Sequence, residues 1–112
     1  MSEHVRVEAA KSIRIELGGK TIAESTQGYI VHEVGLPDRY YVSRADVRAQ
    51  ISDGKGEGVC PWKGKWRHLN VDVDGTHVAN GAWTYYEPTE NCEPLRDKIA
   101  FYENKVDRIS VA

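Results

Sequence analysis

Residues 65–86 run Lys65-Trp66-Arg67-His68-Leu69-Asn70-Val71-Asp72-Val73-Asp74-Gly75-Thr76-His77-Val78-Ala79-Asn80-Gly81-Ala82-Trp83-Thr84-Tyr85-Tyr86. Asp74-Gly75 marks a turn, because a type I′ hairpin needs positive φ at both central positions and Asp-Gly supplies it. Residues 65–73 and 76–86 then become antiparallel partners. A two-residue turn sets Asp72 opposite His77 and Trp66 opposite Trp83. Side chains alternate along a strand. One face therefore takes Trp66, His68, Asn70, Asp72, His77, Ala79, Trp83 and Tyr85, and the other takes Leu69, Val71, Val73, Val78 and Ala82. The second face is a core stripe. The first is polar at the turn and aromatic at the far end. This pairing assumes that no bulge interrupts the strand at Asn80-Gly81.

Working outward, the same grammar of short strands and turns repeats. Residues 12–17 alternate, with Ile13, Ile15 and Leu17 on one side and Arg14 and Glu16 on the other. Gly18-Gly19 turns the chain into a partner strand over residues 20–24. Residues 29–34 and 39–42 read as two further strands, broken by Leu36-Pro37-Asp38. Ser43 stands three residues before Asp46 in the manner of a capping box, and Val47 and Ile51 follow at i, i+4 spacing. The pattern predicts a short helix over residues 44–51. Residues 53–58 are glycine-rich and read as a mobile loop, a potential lid. Pro88 ends the long strand. Residues 89–98 read as irregular or one helical turn, with Pro94 allowed early in it, and residues 99–102 and 106–111 as closing strands. The fold class expected is mainly β, a compact antiparallel pseudo-barrel with one or two short helices.

The chain of 112 residues suits one domain, residues 1–112, with residues 1–10 a flexible start. Its net charge of −2 comes from interleaved signs, so no basic footprint for nucleic acid or an anionic membrane is expected. No apolar run approaches the roughly 18 residues of a membrane helix. The start lacks the apolar core of a signal peptide, which points to the cytoplasm. Two cysteines, Cys60 and Cys92, cannot form a disulfide framework and read as reduced thiols.

The segment Cys60-Pro61-Trp62-Lys63-Gly64 leads straight into the hairpin's aromatic end. Two readings of it stand. In the first, Trp66, Trp83 and Tyr85 wall a pocket for a small ring-bearing molecule, with Lys63, Glu33 and Tyr41 supplying polar handles. Its plainer counterpart is that Trp66 and Trp83 form an ordinary cross-strand packing pair. In the second, Cys60 is a nucleophile or redox centre and Lys63 lowers its pKa. Its counterpart is a structural cysteine beside a solvated lysine. Zinc is not expected, since there is no Cys-x-x-Cys pair and no His pair at ligand spacing. Asp72-x-Asp74 is spaced like a two-metal carboxylate pair, but Asp74 belongs to the turn. No cofactor is expected. The expected partner is a small molecule, with homo-oligomerisation as the further option.

The order Ile22-Ala23-Glu24-Ser25, Glu33, Pro37 before Tyr40-Tyr41, Asp46-Val47, Cys60-Pro61-Trp62-Lys63-Gly64, Ala82-Trp83-Thr84-Tyr85 with Pro88, and Ile99-Ala100-Phe101-Tyr102 resembles the bacterial family called domain of unknown function number 427. The resemblance runs from about Val5 to Val111, and Cys-Pro-x-Lys-Gly and Ala-Phe-Tyr are its most specific parts. Ser43 stands where the family usually has proline, and Trp62 where tyrosine is commoner. The resemblance implies a topology similar to the β-tent domains, among them methionine sulfoxide reductase B and the thalidomide-binding domain of cereblon. Many of those hold zinc on two Cys-x-x-Cys pairs. This chain has neither pair, so the metal is not carried over. The family is sometimes labelled a nucleotidyltransferase, a label with no support in these residues, and fold analogy alone does not give function.

Overall fold

The computed structural model describes residues 4–112. The hairpin at its centre is β7 (Gly64–Val73) and β8 (Thr76–Pro88), joined by Asp74 at φ 48° and Gly75 at φ 81°. Asp72 pairs with His77 as the turn requires. Beyond Val71 the register shifts. Leu69 pairs with Ala82, His68 with Trp83, and Trp66 with Tyr85 rather than Trp83. Ala79, Asn80 and Gly81 are left opposite Asn70 alone, so β8 carries two extra residues there. A slip of two preserves parity. Each face of the hairpin therefore keeps the side chains assigned to it, while the partners across it change.

Seven strands form one antiparallel sheet in the order β1-β4-β5-β9-β8-β7-β6, where β1 is Val5–Ala10, β4 Gly28–Glu33, β5 Arg39–Val42, β6 Gln50–Cys60 and β9 Ile99–Phe101. Three more, β2 (Ile13–Leu17), β3 (Lys20–Ser25) and β10 (Arg108–Val111), form a second sheet in the order β10-β2-β3. The large sheet is apolar on both faces. One face, with Val42, Leu69, Val71, Ala82, Ile99 and Phe101, shares a core with Ile13, Ile15, Leu17 and Ile22 of the small sheet. Fully burying each large aliphatic or aromatic chain there contributes about 1.5–3 kcal/mol. The other face carries Val31, Tyr41, Trp83, Tyr85 and Ala100. It is closed by Cys92 and Leu95 from the 3-10 turn Glu90–Leu95, and Asn91 Nδ2 ties that turn to the Val5 carbonyl at 3.2 Å.

Beyond the hairpin register, three further expectations are corrected. Residues 44–51 are not a helix. Only Arg44–Asp46 make a 3-10 turn, and Ser43 forms no side-chain cap. Asp46 instead accepts a 2.7 Å bond from the Ser25 hydroxyl, and Arg48 N–H donates to the Ile22 carbonyl at 2.6 Å. The segment is spent bridging to β3. Residues 53–58 are not a loop but the middle of β6, paired with β7 around a bulge between Asp53 and Glu57. Asn80, itself at φ 52°, pins that bulge: its Oδ1 accepts Lys55 N–H and its Nδ2 donates to the Lys55 carbonyl, both at 2.9 Å. Within the supposed flexible start, Val5–Ala10 is β1, paired along its length with β4; residues 1–3 lie outside the described residues. Among the described residues no helix is long and apolar enough to cross a membrane.

Candidate functional site

Strand parity brings the site together. Glu33 and Val31 of β4, Arg39 of β5, Trp66 of β7, and Trp83 and Tyr85 of β8 all point to the face away from the small sheet. Tyr102 follows β9 on the same side. They surround a cavity of about 160 Å³, with Leu36 and Pro37 at its lip and Lys63 on its wall.

Lys63 reaches the cavity because the Cys60–Gly64 segment is a tight turn. Lys63 N–H donates to the Cys60 carbonyl at 3.3 Å, Thr89 N–H donates to the Lys63 carbonyl at 3.0 Å, and the Thr89 hydroxyl donates to the Trp62 carbonyl at 3.0 Å. The Lys63 ammonium forms an ion pair with Glu33 Oε1, and its Nζ lies 5.7 Å from the Tyr85 ring centre. The other carboxylate oxygen, Oε2, takes His4 Nε2 at 3.2 Å. His4 in turn stacks on Trp62 with ring centres 4.2 Å apart.

The aromatic residues are held from behind. Trp83 Nε1–H donates to the Tyr41 hydroxyl at 3.0 Å, and the two rings meet edge-on at 6.0 Å. Tyr41 is fully buried and lies beneath the cavity rather than on its wall. Tyr102 packs on Trp83 at 4.4 Å, and its hydroxyl is 2.9 Å from His68 Nε2. Gly58 faces Trp66 across the strands, and a β-carbon there would lie 2.9 Å from the indole ring. That glycine makes room for the tryptophan.

Burial pushes the Tyr41 and Tyr85 phenols well above their ordinary value, and Tyr102 upward against the opposing pull of Arg39. These hydroxyls hold their protons at neutral pH and serve as hydrogen-bonding groups, not bases.

Of the residues singled out in the sequence, Glu33, Lys63, Trp66, Trp83 and Tyr85 meet at the cavity. Cys60 is half-buried and outside the lining residues. Both cysteines are free thiols. Cys92 is fully buried, its thiol 3.9 Å from the Trp62 carbonyl, and burial pushes its pKa up. Alkylation should therefore separate the two. In the native protein iodoacetamide is expected to modify Cys60 alone, with Cys92 reacting only on unfolding. Intact mass and peptide mapping before and after adding urea check this, and two adducts at equal rates in the native protein would contradict it.

Arg39 and Tyr102 were missed as site residues. Tyr102 appears in the sequence only as the end of the Ala-Phe-Tyr element. The available signal was parity: Arg39 is two residues from Tyr41, and Tyr102 two from Ala100.

A comparison with curated proteins finds no match. A family model described as Domain of unknown function (DUF427) matches residues 6–112. The chain belongs to that family.

Proposed function

We propose that this domain binds a small molecule through a planar ring held in the aromatic cavity. The observation that carries the reading is the convergence of Trp66, Trp83, Tyr85 and Tyr102 on one space of about 160 Å³, whose lining also holds the charged residues Glu33, Arg39 and Lys63. That volume is small beside the roughly 300–1,000 Å³ of typical ligand pockets, which suits one or two fused rings. Aromatic walls favour offset-stacked or edge-on ring partners. The pairing of Lys63 with Glu33 weighs against the thiol reading, because the cation meant to activate Cys60 is already neutralised by a carboxylate.

Amide and indole NMR spectra of the full chain, recorded against a set of single-ring and two-ring fragments, test the reading. The indole N–H resonances of Trp66 and Trp83 are expected to move, while Trp62, outside the cavity, serves as the internal reference. Trp66→Ala should weaken binding by about tenfold, the loss expected for one aromatic contact. If no ring compound moves the two resonances, the proposal fails.

A further inference from the structure

Of the three charged groups of the cavity, Glu33 and Lys63 are committed to each other and Arg39 is not. Glu33 has both oxygens engaged, one by Lys63 and one by His4. The Trp83 N–H is given to Tyr41. The Tyr102 proton is committed too. His68 Nδ1 lies 3.1 Å from the Lys55 carbonyl, which can only accept, so a neutral imidazole carries its proton on Nδ1 and takes the Tyr102 hydroxyl proton at Nε2.

Arg39 differs. Its guanidinium carbon lies 5.4 Å from the Trp83 ring centre and 6.0 Å from that of Tyr102, and among the described residues it has no carboxylate partner. The neighbouring Asp38 is occupied by His32 at 2.9 Å. A guanidinium resting on aromatic faces keeps its N–H donors in its own plane, a fork that matches a planar carboxylate. The three charged residues of the lining, Glu33, Lys63 and Arg39, leave one surplus positive charge in a chain whose net charge is −2. One surplus charge matches a monoanion better than a phosphate dianion.

We infer that the ligand is an aromatic or heteroaromatic ring carrying a carboxylate, with Arg39 as the group that receives it. This rests on the ring-binding reading and adds the ligand's charge and the residue that reads it. Lys63 also lines the cavity, paired with Glu33, so Arg39 is the cation open to the carboxylate while the ring is held by Trp66, Trp83 and Tyr102.

Benzoate, benzamide and benzylamine share a ring and differ in charge. Titrating each into the full chain while following the Trp66 and Trp83 indole resonances tests the inference. Benzoate is expected to bind about tenfold or more tightly than benzamide, as a charge-assisted bidentate contact requires, with benzylamine weakest. In Arg39→Gln the benzoate-to-benzamide ratio should fall to about one, and Arg39→Lys, which keeps the charge but loses the fork, should restore only part of it. Should benzamide match benzoate in the wild-type protein, or benzylamine bind best, the carboxylate assignment is overturned and the aromatic cavity stands. If neither these three nor any other ring compound moves the resonances, both fall. The wild-type comparison decides the matter even where an Arg39 variant does not fold.

Discussion

Replacing Lys63 with methionine is expected to lower the free energy of unfolding by about 3 kcal/mol or more, because it strands the Glu33 carboxylate in a nearly dry site. The side chains of Lys63 and Glu33 are 11% and 8% exposed, so water solvates neither charge well. Their attraction offsets most of that desolvation, and removing one partner leaves the other uncompensated. His4, 3.2 Å from Glu33 and 28% exposed, is a weaker substitute. Removing both charges together is a different case. A double change, Lys63→Met with Glu33→Leu, discards the buried charges as well as their attraction, and should lie within about 1–2 kcal/mol of wild type. Urea denaturation of the wild type, both single variants and the double variant completes the cycle. The expected signature is a large favourable coupling energy with a small total cost. If Lys63→Met alone costs less than about 1 kcal/mol, the pair behaves as an exposed one and its place in the cavity wall must be reconsidered.

Much of this arrangement is legible in the sequence, and the failures share one cause. The hairpin could be read because its information is local: a turn of two residues and alternation on either side. Its faces survived a bulge only because Ala79-Asn80-Gly81 adds an even number of residues. Reading β6 was not possible on the same basis. Gly54, Gly56 and Gly58 look like a flexible stretch, yet a β-carbon at Gly54 would overlap the Asn80 side chain, and one at Gly58 would press on Trp66. These glycines answer to residues of β7 and β8, which nothing within the segment reveals. Ser43 and Asp46 misled in the same way, since the partner of Asp46 is Ser25, on a strand remote in sequence. The cavity was half visible for this reason too. Trp66, Trp83 and Tyr85 announce themselves by type and strand parity. Arg39 acquires meaning only where β5 and β9 bring it over Trp83 and Tyr102 without a carboxylate.

The glycine that ends Cys60-Pro61-Trp62-Lys63-Gly64 should be the least replaceable residue of the segment. Gly64 sits at φ 114°, in the half of conformational space that residues with a β-carbon avoid. It is buried between two strands, paired with Cys60 on one side and with Pro88 on the other. A β-carbon there would overlap the Glu87 carbonyl oxygen and lie 2.6 Å from Pro88 Cα. Those are backbone atoms of β8, which cannot move without dragging Tyr85 and the Thr89 contacts that hold the Lys63 turn. The backbone conformation alone costs about 1–3 kcal/mol for a non-glycine residue, and the overlap adds to it. Gly64→Ala is therefore expected to lose more than about 3 kcal/mol and, in a domain with the usual reserve of about 5–15 kcal/mol, to approach unfolding. Gly18→Ala isolates the two contributions. Gly18 also has positive φ, at 63°, but no atom lies within 4 Å of where its β-carbon would stand, so about 1 kcal/mol is expected there. Comparing the two variants by thermal and urea denaturation sets an upper bound on the overlap, since the backbone cost at φ 114° is at least that at 63°. Equal losses would mean that β8 yields at Glu87 and Pro88, and that the Lys63 turn is not fixed by the strand behind it.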